Sequence, residues 1–149
     1  MNVEPMIEVS DLTKRYAGHT AVSKISFTVG RGEIVGLLGS NGAGKSTTMR
    51  ILSCFLPASS GTARVAGFDI LQAPAQVRRR IGYVPQLVSA DGGLTGWENL
   101  DFSGRLYGLH GADRKSRIAE ALQFVNLTDS ASKLVKTYSG GMIRRLEIA

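Results

Sequence analysis

One cysteine in 149 residues excludes an internal disulfide framework. That residue, Cys54, stands among Met49, Ile51, Leu52 and Phe55, and its expected role is core packing. No apolar run approaches the roughly 20 residues that a membrane-spanning helix needs. The first residues include Glu4, Pro5 and Glu8, so the basic and apolar regions of a signal peptide are missing and residence in the cytosol is expected. There is no internal repeat and no low-complexity tract, which argues against a solenoid or a disordered tail. A long run of one charge is also missing. The net charge of +6 is spread along the chain, and its densest cluster, Arg78-Arg79-Arg80, reads as a solvated helix end rather than a nucleic-acid patch. A positive surface equally suits the anionic cytoplasmic leaflet.

What is present is glycine in a telling pattern. Gly39-Ser40-Asn41-Gly42-Ala43-Gly44-Lys45-Ser46-Thr47 fits G-x-x-x-x-G-K-[ST], after an apolar run and before a helix. A polyphosphate needs many donors close together, and glycines let successive backbone N–H groups turn into one concavity. The helix opening near Lys45 adds unpaired N–H groups and the positive end of its dipole. In such a cradle Lys45 neutralises the β- and γ-phosphates, Ser46 coordinates the Mg²⁺ that bridges them, and Thr47 adds a hydroxyl nearby.

Alternation at Ile7 and Val9, and again at Ile25, Phe27 and Val29, predicts half-buried antiparallel strands ahead of the cradle. Ile34, Val35, Leu37 and Leu38 form a nearly continuous apolar run, the pattern of a strand covered on both faces. The cradle helix is expected to reach about Leu56, followed by a strand near residues 62–65, a brief helix over 75–80 and a short strand at Ile81, Tyr83 and Val84. Beyond Gln86 the periodicity becomes helical. Thr95 and Glu98 form a capping-box pattern ahead of one helix, and Ile118, Ala121, Leu122 and Val125 mark a second from about Asp113. Ser139-Gly140-Gly141 then caps a third, a second candidate anion site.

Two phosphate-type helix starts with Gln86 between them resemble the nucleotide-binding domain of ABC transporters. The likeness runs over the whole chain: Tyr16 in the strand region, the Walker A motif at 39–47, Ile81-Gly82-Tyr83-Val84-Pro85-Gln86 as the Q-loop, and Ser139-Gly140-Gly141-Met142 as the signature. Leu94-Thr95-Gly96-Trp97-Glu98-Asn99-Leu100 and the Met142 ending are most similar to the drug-efflux and polysaccharide-export branch. The resemblance implies an α/β P-loop fold of ABC type: N-terminal antiparallel strands and a partial central sheet with its P-loop helix over 1–86, then a helical subdomain over 87–149. It further implies ATP and Mg²⁺ as cofactors, with Tyr16 stacking on adenine, Val22 near the ribose, residues 39–47 around the phosphates, and Ser46 and Gln86 on the metal side. In this family two domains pack head to tail, so Ser139, Gly140 and Gly141 of one chain close over the γ-phosphate held by Lys45 of the other. The expected partners are that second domain and a membrane permease, on the inner face of the cell membrane, with no nucleic acid.

Ser40 replaces the proline often found at its Walker A position, and Met142 the commoner glutamine of the signature; neither removes a donor. The sequence ends at Ala149, inside the signature helix and ahead of the family's Walker B strand, with its Mg²⁺-binding Asp and catalytic Glu, and of the switch His. Glu147 reads as a surface or dipole-tuning residue of the signature helix, Asp101 and Glu120 lie on helices, and His19 and His110 occur too early to be the switch. No efficient hydrolysis is therefore expected from these residues alone. The run at 34–38 is expected to face solvent along one edge, with marginal folding as the result. Two other readings stand beside the exporter: a permease-free ATPase acting on nucleic acid or ribosomes, and an inactive truncated remnant.

Overall fold

The apolar–polar alternation of the first thirty residues becomes an antiparallel hairpin, β1 (Ile7–Tyr16) and β2 (His19–Val29), in a computed structural model that describes residues 5–149. β3 (Ser60–Val65) pairs antiparallel with the other edge of β1, and the short β4 (Phe68–Asp69) follows it, giving the order β2-β1-β3-β4. The helix after the glycine loop is α1 (Lys45–Leu52), and a five-residue helix, α2 (Pro74–Arg78), comes later. Leu12, Ile51 and Val77 are fully buried and tie sheet and helices into one core. The fold is thus mixed α/β with an antiparallel sheet.

Three expectations in this part need correction. α1 stops at Leu52, not near Leu56, because Cys54 takes a left-handed conformation (φ 58°) and the amides of Phe55 and Leu56 both return to the Arg50 carbonyl. Cys54 itself is half-buried against the core, and burial pushes its thiol pKa up. Residues 34–38 are not a strand. Among the described residues no segment supplies them with ladder hydrogen bonds, and Ile34 and Leu38 stand 102% and 92% exposed. An apolar run can specify a buried strand only if a neighbour offers its backbone. Residues 81–84 likewise form no ladder; Ile81 packs on the core and the Tyr83 ring meets Phe55 edge-on at 5.1 Å.

The chain divides into two units, the first ending at Tyr83 and the second spanning Val84–Ala149. The second is built from α3 (Gly96–Leu106), α4 (Gly111–Phe124) and α5 (Gly140–Ile148). Thr95 caps α3: its hydroxyl accepts from the Glu98 amide at 3.1 Å while Glu98 accepts from the Thr95 amide at 2.7 Å. The 3.6-residue periodicity buries Ile118, Leu122 and Val125 against Leu127, Val135, Tyr138 and Leu146.

One ion pair staples α3 to α4. Asp101 accepts from Arg105 Nε at 2.7 Å and from Arg114 Nε at 2.6 Å, and these bonds hold its carboxyl below the usual carboxylate range. A carboxylate whose pKa is depressed by folding stabilises the native state above its unfolded pKa, and that contribution is lost as pH falls through the folded value. Asp101→Asn should therefore lower the melting temperature at neutral pH, and the gap to the unmodified protein should close in acid. Melts across a pH series check this; a gap that stays constant into acid would show that the charge plays no part.

Candidate functional site

The glycine-rich loop forms an open anion cradle. Lys45 Nζ donates to the carbonyls of Gly39 and Ser40, both at 2.7 Å, so the side chain folds back over the loop it follows. Ala43 N–H bonds to the Ser40 carbonyl at 3.2 Å, which closes a tight turn. Among the described residues no acceptor meets the amides of Lys45, Ser46 and Thr47, the unpaired first turn of α1. These free donors beside an ammonium group suit a polyphosphate in charge and in number. Ser46 and Asn41 are exposed, leaving the Ser46 hydroxyl open to a hard cation. Among the described residues no cluster of three or more His, Cys, Asp or Glu side chains is placed to hold a metal. A Mg²⁺ here would be held by Ser46, phosphate oxygens and water, the arrangement this ion favours.

Gly44 fixes the loop on the sheet. It caps α1 at φ 84°, and a Cβ there would lie 2.2 Å from the Ala21 carbonyl oxygen and 3.0 Å from Val22 Cγ2. The start of the helix therefore rests directly on β2. Thr48, which the sequence pattern did not single out, completes the joint: it is buried, and both its amide (2.8 Å) and its hydroxyl (3.0 Å) donate to the Gly44 carbonyl. Its place on the core side of α1, one turn after Gly44, is the signal that could have found it.

Val22, Gly42, Ala43 and Lys45 line one cleft of about 480 Å³ together with Thr20, Leu37 and Leu38. Val22 is 5% exposed and packs under Gly44, so little of its surface faces that cleft. Tyr16 is not among the cleft's lining residues. It closes the β1–β2 hairpin opposite His19, half exposed, with Lys14 Nζ 5.3 Å from its ring centroid.

Gln86 and the Ser139-Gly140-Gly141 stretch belong to the second unit. Gln86 is exposed, in a segment without regular structure. Ser139 caps α5 by accepting from the Met142 amide at 3.3 Å, and among the described residues the amides of Gly140 and Gly141 meet no acceptor. This helix start thus offers free donors as the cradle does. The sequence missed two groups further along α5. Glu147 is not a surface residue: its side chain is 2% exposed, and it accepts from the Ser89 amide at 2.6 Å, the Ser89 hydroxyl at 3.0 Å and Arg144 Nη1 at 2.9 Å. Burial opposes its charge, yet the Ser89 bonds and the Arg144 charge together hold its pKa below the usual value. The spacing of Arg144 and Glu147 at i, i+3 shows a local pair, but nothing in it points to Ser89, 58 residues earlier.

A family model described as ABC transporter matches residues 22–149. Over its full length the chain is 49% identical to the daunorubicin/doxorubicin resistance ATP-binding protein DrrA of Streptomyces peucetius, covering 46% of that protein. Over 96% of its length it is 43% identical to the linearmycin resistance ATP-binding protein LnrL of Bacillus subtilis (strain 168), again covering 46%. The chain thus spans about half the length of these curated relatives. A solved structure described as the ATP binding subunit of an ABC transporter superposes with a TM-score of 0.77 at 31% identity, covering 96% of this chain and 60% of that one.

Proposed function

Because the chain belongs to the ABC transporter family, we propose that it binds MgATP as part of the ATP-binding subunit of a drug exporter. The observation that carries this reading is the free first turn of α1 next to Lys45 and the glycine loop. ATP supplies a polyanion that this turn is built to receive. The amides of Lys45, Ser46 and Thr47 orient the phosphates, while the residues of 39–44 wrap them with backbone. Lys45 exchanges two carbonyl partners for phosphate oxygens, and Ser46 offers its hydroxyl to Mg²⁺. Tyr16, half exposed on the hairpin, is available to stack on the adenine, and Val22 supports the loop from beneath as well as bordering the cleft.

The intact protein is proposed to hydrolyse ATP as a head-to-tail dimer, in which Ser139, Gly140 and Gly141 of one chain close on the γ-phosphate held at Lys45 of the other, with Gln86 reporting the metal side. Closure and reopening would drive a separate membrane permease from the cytoplasmic face. No helix among the described residues is long and apolar enough to cross a membrane. The names of the daunorubicin/doxorubicin and linearmycin resistance proteins it resembles favour a drug as cargo.

Ser40→Cys with Ser139→Cys, in a Cys54→Ala background of the intact protein, tests the arrangement. Oxidation should yield a disulfide-linked dimer that accumulates with MgATP and not without it. Equal crosslinking in both conditions would sink the head-to-tail closure.

A further inference from the structure

The segment after Tyr83 has neither helix nor strand until α3, and Leu87 and Val88 stand 83% and 58% exposed. Little apolar burial fixes it. What holds its first part, residues 85–89, is α5. Arg144 Nη1 donates to the Pro85 carbonyl at 2.8 Å and Nη2 to the Gln86 carbonyl at 3.3 Å. One turn later, buried Glu147 takes the Ser89 amide and hydroxyl. The two side chains also bond to each other, at 2.9 Å, so neither is free to swing away alone.

Both anchors grip backbone on either side of Gln86. The Gln86 side chain makes no hydrogen bond among the described residues, so the grip sets its position while leaving its amide free. The other end of the same helix is the Ser139-Gly140-Gly141 start. A helix of nine residues is about 13 Å long, at about 1.5 Å per residue, and is stiff over that length.

We propose that Arg144 and Glu147 are positioning residues that make the Gln86 segment and the Ser139-Gly140-Gly141 helix start move as one piece. The inference rests on the functional reading above, in which Gln86 attends the metal side of one bound nucleotide and the α5 start of the same chain closes on the nucleotide held at Lys45 of the other chain. A displacement of Gln86 would then shift the α5 donors without any intervening flexible joint, and loosening the grip would disconnect the two. Charge strengthens the grip: a buried carboxylate accepting two hydrogen bonds and facing a guanidinium resists separation far more than neutral partners would.

The test is a double-mutant cycle in the intact protein, with Gln86→Ala and Glu147→Gln alone and together. Turnover and MgATP affinity are both read. Each single change should slow turnover by about 10- to 100-fold, the usual effect of disturbing a supporting shell, while in Glu147→Gln the MgATP affinity set by Lys45 stays within about twofold. Together they should be no slower than the worse single variant, because both cut the same link. Multiplying effects would overturn the proposal. Amide exchange supplies a second arm: Ser89 should lose protection in Glu147→Gln while α5 keeps its own. If α5 also melts, Arg144→Gln replaces Glu147→Gln in the cycle with the same expected outcome, since Arg144 is 45% exposed and its loss leaves the core intact. Failure of the unmodified protein to bind MgATP would instead refute the functional reading, an outcome distinct from an additive cycle in a protein that binds.

Discussion

Lys45→Ala should abolish MgATP binding at micromolar concentrations while leaving the protein folded. The side chain holds two carbonyls of the loop at 2.7 Å each, and both lie at the exposed surface where water can replace it. Its loss therefore costs the fold little. Phosphate has no such substitute. Hydrogen bonds to charged groups contribute about 1.5–3 kcal/mol each, so losing two amounts to about 3–6 kcal/mol, or roughly a 150- to 20,000-fold rise in Kd. Calorimetric titration with MgATP, beside a thermal melt, separates the two effects. Unchanged affinity in a folded variant would remove the cradle from the account altogether.

Gly61→Ala should be the most damaging single methyl in the first unit. Gly61 sits on β3 at φ 83°, and a Cβ there would meet the Asp11 carbonyl oxygen at 2.3 Å, the Asp11 carbonyl carbon at 2.5 Å and Leu12 Cα at 2.7 Å. All three are backbone atoms, so no side chain can rotate out of the way. They are so close because β1 bulges here: Asp11 itself has φ 47°, and the pairing with β3 slips between Ser10 and Thr13. Strain of about 1–3 kcal/mol for the dihedral and a similar amount for overpacking give about 2–6 kcal/mol, a large share of the 5–15 kcal/mol typical of a domain. Gly67→Ala is the control, with φ 82° but nothing within 4 Å of its Cβ, and should cost about 1–2 kcal/mol. Denaturant melts of the two variants should differ accordingly. Equal costs would mean that β3 can retreat from the bulge.

Local rules carried the sequence reading where the answer was local. The hairpin of β1 and β2, the Thr95–Glu98 capping box, the Ser139 cap and the start of α1 at Lys45 all depend on residues a few positions apart. Residues 34–38 and 81–84 went the other way. Their composition specifies a strand, but pairing is a property of two segments, and the second is not found among the described residues. The end of α1 was missed because Cys54 adopts a left-handed conformation that no propensity scale assigns to cysteine. Around the cradle the pattern named the donors, yet the support beneath them was not visible in it: Thr48 on the Gly44 carbonyl, and the Ala21 carbonyl against Gly44. In the second unit, the bond from Ser89 to Glu147 joins residues that share no motif.

The cradle is suspended unequally. On its upstream side residues 34–38 reach Gly39 with no ladder hydrogen bond among the described residues. On its downstream side α1 leaves Lys45 as a braced strut, with Thr48, Ile51 and Leu52 seated in the core. A load applied to the loop by a captured anion is therefore borne by the strut. The mechanical path out of the cradle runs through Ile51 into β1 and β3.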